Sequence, residues 1–426
     1  MSRIALVTFG SLGDLHPFLA IGTELRRRGH AALLATHADY RELVTSAGLE
    51  FAPVRPEFGA PEAMEQVMKR AMDLRRGTEY VLRELVLPWT RDAAEDLLAA
   101  APGSDLIVSH MIAMVAGPVA EKLGVPRVQV ALQPSAVFSA HDPPTLPTVP
   151  GSELLRRALP PFALAALWRL LIRGSRPWFE PLDALRRDLG LPRSRRHPLL
   201  EAWSPLLNLA LFSPRFAAPQ RDWPARTLAT GFPHDFQRES LASPLEAFLA
   251  AGEPPIVFTL GSSAVWDPRD FWRASLEAAR AVGRRAVLLA GANAAALPRT
   301  REVHAIEWAP HAALFPRACA IVHSCGIGTT ARALEAGRPM LGVPWSHDQP
   351  DNATRCRRLG VSRVLARGRY DARSAARELR ALLADENVAV RAAEEGAAFR
   401  AERGAQAAAD ALERVLAAPS ASGGSA

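Results

Sequence analysis

The chain has 426 residues, 49% of them hydrophobic and 22% charged, with a formal net charge of +7. That length predicts two domains with sizeable cores, and the composition excludes a disordered or fibrous chain. The cations are almost all scattered arginines, Lys69 and Lys122 being the only lysines; no nucleic-acid motif accompanies them, so no nucleic-acid partner is expected.

The first apolar run, RIALVTF (3–9), reads as a buried strand and not as a secretion signal, which predicts a cytoplasmic protein. FGSLGDLHP (9–17) follows. A glycine loop between strand and helix suits a phosphate, yet Asp14 sets a fixed negative charge at the helix entrance. Further strands are predicted at 31–36, 51–54, 105–110 and 127–132, and helices at 17–28, 39–47, 61–100 and 113–123. This alternation predicts a parallel sheet covered on both faces.

Residues 139–200, rich in Pro, Arg, Trp and Phe, break the rhythm and read as an insertion, the usual place for ligand specificity. Within it the apolar stretch 159–172 is too short to span a bilayer. It reads as a helix covering a pocket, with peripheral membrane contact as the alternative. The loop-like stretch 217–240 separates the halves. The pattern then restarts, with strands at 255–263, 285–291, 305–308, 319–326 and 340–345. Helices are expected at 268–282, 329–336, 350–358, 372–384 and 388–417. Cys319, Cys325 and Cys356 lack zinc spacing and predict neither a metal site nor a disulfide framework. The tail APSASGGSA reads as disordered.

The densest chemical signal is HSCGIGTTARALEAGRPMLGVPWSHDQPDN, 323–352. Gly326 and Gly328 permit close backbone approach, and Thr329 and Thr330 are expected to cap a helix whose free N–H groups face an anion. The alternative is a capped structural turn. Trp308 ends the preceding strand and can stack a nucleobase or pack in the core. Asp348 and Gln349 suit sugar hydroxyls or form a helix start before Pro350. With Gly261-Ser262-Ser263, these segments sit at carboxyl ends of consecutive strands, where open α/β sheets bind ligands.

The segment 308–352 resembles the donor-binding signature of family 1 glycosyltransferases. The front end, GSLGDLHP with Arg28-Gly29-His30, is similar to bacterial and sterol members of that family. The resemblance implies an α/β GT-B fold, two Rossmann-like domains whose parallel sheets face a central cleft. It places the acceptor domain at 1–225, a linker at 226–245, the donor domain at 246–395, a helix crossing back to the first domain at 396–417 and the tail at 418–426. It implies a nucleotide sugar, UDP-glucose, as co-substrate, with no cofactor and no metal. Trp308 and His311 would meet the base; Ser262, Ser263, His323, Ser324, Gly326, Gly328, Thr329 and Thr330 the diphosphate; Asp348 and Gln349 the sugar. The ribose-binding Glu of plant members corresponds to Arg332.

Where plant members carry a catalytic His on the first loop, this chain has Asp14, and where they carry its Asp partner it has His110. The exchange predicts an Asp14–His110 dyad that takes the acceptor's proton. The bland alternatives are an N-cap carboxylate and a strand-end histidine. His16, Trp89, Met111 and Phe138 are the acceptor-side candidates. The expected reaction is inverting transfer of the sugar to a hydroxyl of a small apolar or aromatic molecule such as a phenolic. A rhamnosyl-lipid or sterol transferase, a UDP-sugar epimerase and a non-catalytic nucleotide-sugar binder remain as alternatives. The oligomeric state is not legible.

Overall fold

Ile4, Ala5, Leu6 and Val7 are apolar in succession, a pattern stable only in a strand covered on both faces. In the computed structural model, which describes residues 1–57, 61–147, 152–233 and 240–418, these four are buried in β1 (Arg3–Val7). From there run α1 (Leu12–Arg27), β2 (Ala31–Thr36), β3 (Glu50–Pro53), α2 (Pro61–Ala71), β4 (Leu106–His110), β5 (Arg127–Ala131), β6 (Asn208–Ala210) and β7 (Thr227–Ala229). They build a parallel sheet of order β3-β2-β1-β4-β5-β6-β7.

The second half repeats the plan with β8 (Ile256–Thr259), β9 (Ala286–Leu289), β10 (Val303–Ile306), β11 (Ala320–His323), α3 (Ile327–Ala336), β12 (Met340–Gly342), α4 (Gln349–Arg358) and β13 (Ser362–Val364). Its order is β10-β9-β8-β11-β12-β13, again parallel. The strand order reverses between β1 and β4 in one sheet and between β8 and β11 in the other. The loops after β1 and β11 therefore both lie at switch points, where doubly wound sheets open a crevice. The two-domain α/β expectation is met.

Three short strands escape sequence reading. β6 is fully buried yet begins with Asn208, whose side chain is absorbed by the backbone of Ser204 and Ala225 at 2.8–3.0 Å. β7 falls in the predicted linker but pairs with β6, so the first sheet reaches past residue 225. β13 has three residues. The predicted helix at 17–28 begins earlier, at Leu12, with Pro17 inside it; Pro17 cannot donate to the Gly13 carbonyl.

The predicted run 388–417 is two helices, α5 (Glu386–Ala401) and α6 (Gly404–Ala417). α5 packs against α3 in the second domain, and α6 packs against α1 in the first. The crossing thus lies at Glu402–Arg403 and not at 396. It passes tightly against the other crossing: a Cβ on Gly404 would lie 2.4 Å from the Phe232 carbonyl oxygen, a position only glycine fills. Ala408, Ala409, Ala411 and Leu412 join the core of Ile4, Leu6 and Leu15. The expected disordered tail at 419–426 lies outside the described residues. Among the described residues no helix is long and apolar enough to cross a membrane.

Arg28 fastens α6 to α1, bonding Glu24 on its own helix at 2.8 Å and Glu413 at 2.7 Å, with Asp410 beside them. Hydrogen bonds from Arg27 and Arg28 hold the Glu24 carboxyl down at about 2, against an ordinary value of 4.5. Arg28→Ala is expected to cost about 2 kcal/mol at pH 7. A carboxylate with a lowered folded-state pKa stabilises fully above its unfolded value and loses that contribution as pH falls through the folded one. The gap between wild type and variant should therefore narrow from about pH 4.5 downward. Urea melts at pH 7 and pH 3 measure it; coincident curves at pH 7 would contradict the assignment.

Candidate functional site

The two switch-point loops confront each other. A Cβ built on Gly328 would lie 3.8 Å from Gly13 Cα, so the first turns of α1 and α3 meet across a cleft of about 960 Å³. Both are helix N-termini, each with unpaired N–H groups and a positive dipole end, but they are finished differently.

α1 caps itself. Ser11 Oγ accepts from Gly13 N at 3.2 Å, while Asp14 Oδ2 accepts from Ser11 N at 2.8 Å and Ser11 Oγ at 3.1 Å, a complete capping box. Gly10 makes room for this: with φ at +126°, a Cβ there would fall 2.4 Å from Asp14 Oδ2. Tyr40 donates to the Gly10 carbonyl at 3.1 Å. Burial, then the charges of Asp14 and Asp39, push its hydroxyl up to about 12. Both hydrogen bonds of the Asp14 carboxylate go to Oδ2.

α3 has no such cap. Its N-cap is Gly326, without a side-chain hydrogen bond, and Thr329 and Thr330 do not cap as expected. Thr329 lines the cleft beside Gly328, whereas Thr330 is buried with Oγ1 lacking a hydrogen-bond partner. The Ile327 N–H goes to Asp348. The first backbone bond of the turn runs from Thr330 N to the Gly326 carbonyl at 2.9 Å, so the Gly328 and Thr329 N–H groups have no intrahelical acceptor.

Asp348 sits where the domains meet. It accepts from Asn352 Nδ2 at 2.6 Å, and Asn352 also holds the Cys325 carbonyl at 3.0 Å. Burial pushes the Asp348 carboxyl up to about 7; the Asn352 amide, the backbone N–H of Asp348 itself and that of Ile327 oppose the rise, and the Asp14 charge adds to it. Gln349 is buried, its Oε1 spent on Trp345 N at 2.7 Å and Ser346 N at 3.2 Å, which leaves only its amide nitrogen for a ligand.

Trp308 is 61% exposed and lines the cleft with Ser262, His311 and His16. His311 stacks on Phe315 at 4.3 Å. Burial, then the neighbouring Arg332, His323 and His16, push its pKa down to about 3, so the ring is neutral. Arg332, also on the cleft wall, pairs with Glu335 at 3.0 Å.

Several expected contacts fall elsewhere. His323 is 1% exposed, accepts from Cys325 N at 3.2 Å, and is pushed down to about 4 by burial. It shapes the turn as a neutral ring and supplies no charge. Ser324 is buried and donates to the Leu260 carbonyl at 2.8 Å. Gly326 and Ser263 lie beside the cleft and outside its lining.

His110 and Asp14 share no hydrogen bond. The ring N–H of His110 goes to the Phe9 carbonyl, and its Nδ1 is buried without a partner. Burial lowers its pKa, with only a through-space pull from Asp14. The dyad is thus a lone carboxylate with a neutral histidine behind it. Trp89, Met111 and Phe138 stand away from the cleft. Met111 is buried in the same cluster as Val137 and Phe212, Phe138 packs edge-on to Trp168 at 6.3 Å, and Trp89 is half-buried at the start of the following helix. The first-domain wall is formed instead by Leu12, His16, Pro17, Tyr40, Leu43 and Met68. Sequence reasoning missed Tyr40, Asn352 and the cleft role of Arg332; only Asn352, four residues after Asp348, had a helical-spacing signal.

Two family models match the chain. Residues 4–129 match the glycosyltransferase family 28 N-terminal domain, and residues 285–413 match the erythromycin biosynthesis protein CIII-like C-terminal domain. The chain is 34% identical to the O-mycaminosyltylonolide 6-deoxyallosyltransferase of Streptomyces fradiae over 417 residues, 95% of each protein. It is 30% identical to the glycosyltransferase GtfE of Amycolatopsis orientalis, over 84% of this chain and 85% of that one. Among solved structures, the glycosyltransferase VinC in complex with dTDP superposes with a TM-score of 0.69 at 20% identity, covering 97% of this chain and 99% of its own. The fold is shared with these structures.

An aspartate whose pKa rises on folding stabilises the fold at low pH and less as pH rises toward 7. Asp348→Asn should therefore leave the melting temperature nearly unchanged only at and below about pH 4, and raise it increasingly up to pH 8. Thermal scans of the ligand-free protein across that range measure this; a variant that melts below wild type at pH 8 would show that Asp348 is held there as a stabilised anion.

Proposed function

This chain belongs to the family 1-like glycosyltransferases of GT-B fold, and on that premise we propose that it moves a deoxysugar from a thymidine diphosphate donor to a hydroxyl of a macrolide-like natural product. The observation that carries the reading is the uncapped N-terminus of α3, which faces the first turn of α1 at Gly13 across the cleft. Its free Gly328 and Thr329 N–H groups suit a diphosphate, and the exposed Trp308 indole suits a base. The relatives named above support the acceptor class and the deoxysugar. VinC, in complex with dTDP, supports the nucleotide. One feature of this chain agrees: where the family resemblance puts a ribose-binding carboxylate stands Arg332, tied to Glu335. A 2′-deoxyribose lacks one of the hydroxyls such a carboxylate would grip. The expectation of UDP-glucose and a phenolic acceptor gives way to this reading.

The reaction is a single displacement. The acceptor oxygen forms a bond to the anomeric carbon as the bond from that carbon to the diphosphate oxygen breaks. The acceptor's proton passes to the Asp14 carboxylate, and the electron pair leaves on the diphosphate, where the α3 N–H groups and dipole meet the growing charge. The configuration inverts. His110, held by the Phe9 carbonyl, supports the loop from behind and does not touch the acceptor.

Asp14→Asn should lower kcat by about 100-fold or more and leave the dissociation constant of thymidine diphosphate within about threefold. Calorimetry with thymidine and uridine diphosphates, followed by a mass-spectrometric acceptor screen, tests the whole reading. It expects tighter binding of the thymidine nucleotide. Preference for the uridine nucleotide, or near-normal turnover in the variant, would overturn it.

A further inference from the structure

The segment that leaves the donor side, α4, reaches across the domain boundary. Arg355, 4% exposed, bonds Asp351 on its own helix at 2.8 Å and also bonds Asp142 of the first domain. Asp351 is fully buried, and its second oxygen accepts from Thr145 N at 2.9 Å. The second oxygen of Asp142 takes Arg358 at 3.1 Å. Each carboxylate is thus used twice, and residues 142–145 are gripped by side chain and backbone together. Charge-assisted bonds of this kind fix geometry as well as position.

The other end of the same segment is anchored separately. Asp222 accepts from Ser139 Oγ at 2.7 Å and Ala140 N at 2.6 Å, and Ser139 Oγ in turn accepts from the backbone of His141 and Asp142 at 3.1 Å. Ala140 and Leu146 pack with Leu164 and Trp168 of the helix Pro161–Gly174. The strip 139–146 therefore joins α4, which starts at Gln349, to the inserted helix of the first domain.

We propose that Arg355 and Asp142 are positioning residues that couple the donor side to the first-domain insertion, so that nucleotide seated at α3 holds residues 139–146 and the helix they carry in place. The coupling rests on the transferase reading. Asp142→Asn is the cleaner probe, because Arg355 keeps Asp351 and no buried charge is left unpaired, as it would be on removal of the arginine. Asp142→Glu tests rescue by a retained charge.

Hydrogen exchange on the full chain reads the coupling without an acceptor. In ligand-free protein, amides 140–146 should exchange at least about tenfold faster in Asp142→Asn than in wild type. Thymidine diphosphate should slow amides 326–330 in both proteins but amides 140–146 only in wild type and, in part, in Asp142→Glu. A merely structural role for Asp142 would lower the melting temperature of Asp142→Asn without that nucleotide-dependent difference in exchange at 140–146. Equal exchange of 140–146 in ligand-free wild type and variant, or an equal response to nucleotide in both, overturns the proposal. Absence of protection at 326–330 in wild type would instead defeat the donor reading, and the ligand-free comparison still decides the link.

Discussion

Two helix N-termini face each other across the cleft, and they cannot both stay positive. Like dipole ends brought together repel unless charge is supplied. α1 supplies its own, through Ser11 and the Asp14 carboxylate; α3, started by Gly326, supplies none. An anion entering the cleft therefore has one open seat, the Gly328 and Thr329 amides, which stand opposite the first turn of α1. In the proposed reaction that asymmetry separates the leaving-group side from the proton-accepting side.

The pairing exists only while the domains are closed, and one stretch of chain does most of the holding. Ser346 donates to the Asp73 carbonyl at 2.8 Å, and the His347 ring meets the Thr78 hydroxyl at 3.0 Å. Arg355, a few turns on, reaches Asp142. Asp348 lies between these contacts, so a carboxyl that feels the Asp14 charge is set by the segment that joins the domains. The two chain crossings pack together at Phe232 and Gly404, which brings both connections to one place, the arrangement a hinge requires.

Much of this was legible because buried parallel strands write themselves as apolar runs. β1, β2, β3, β4, β5, β9 and β10 were found within a residue or two, and the open turn of α3 was read from two glycines after a strand. β6 was hidden by Asn208, whose polarity is satisfied by the backbone of Ser204, in the preceding loop, and of Ala225. The capping threonines were misread because the turn starts on glycine, and which face of α3 each threonine takes depends on its neighbours, β8 among them. His323 and Ser324 were assigned to a ligand by resemblance, whereas the fold spends them on Cys325 and Leu260. The first-domain wall of the cleft was missed for a similar reason. Met111 and Phe138 look available in one dimension, and only tertiary packing turns Met111 into core, sets Phe138 against Trp168 and brings Tyr40, Leu43 and Met68 to the cleft.

The most direct test of the central claim is a crystal structure of the full chain with thymidine diphosphate. The account predicts diphosphate oxygens about 3 Å from the Gly328 and Thr329 amide nitrogens, the base against Trp308, and Asp14 free of the phosphates. A diphosphate held instead by the amides of residues 10–13, with the N-terminus of α3 left empty, would contradict it.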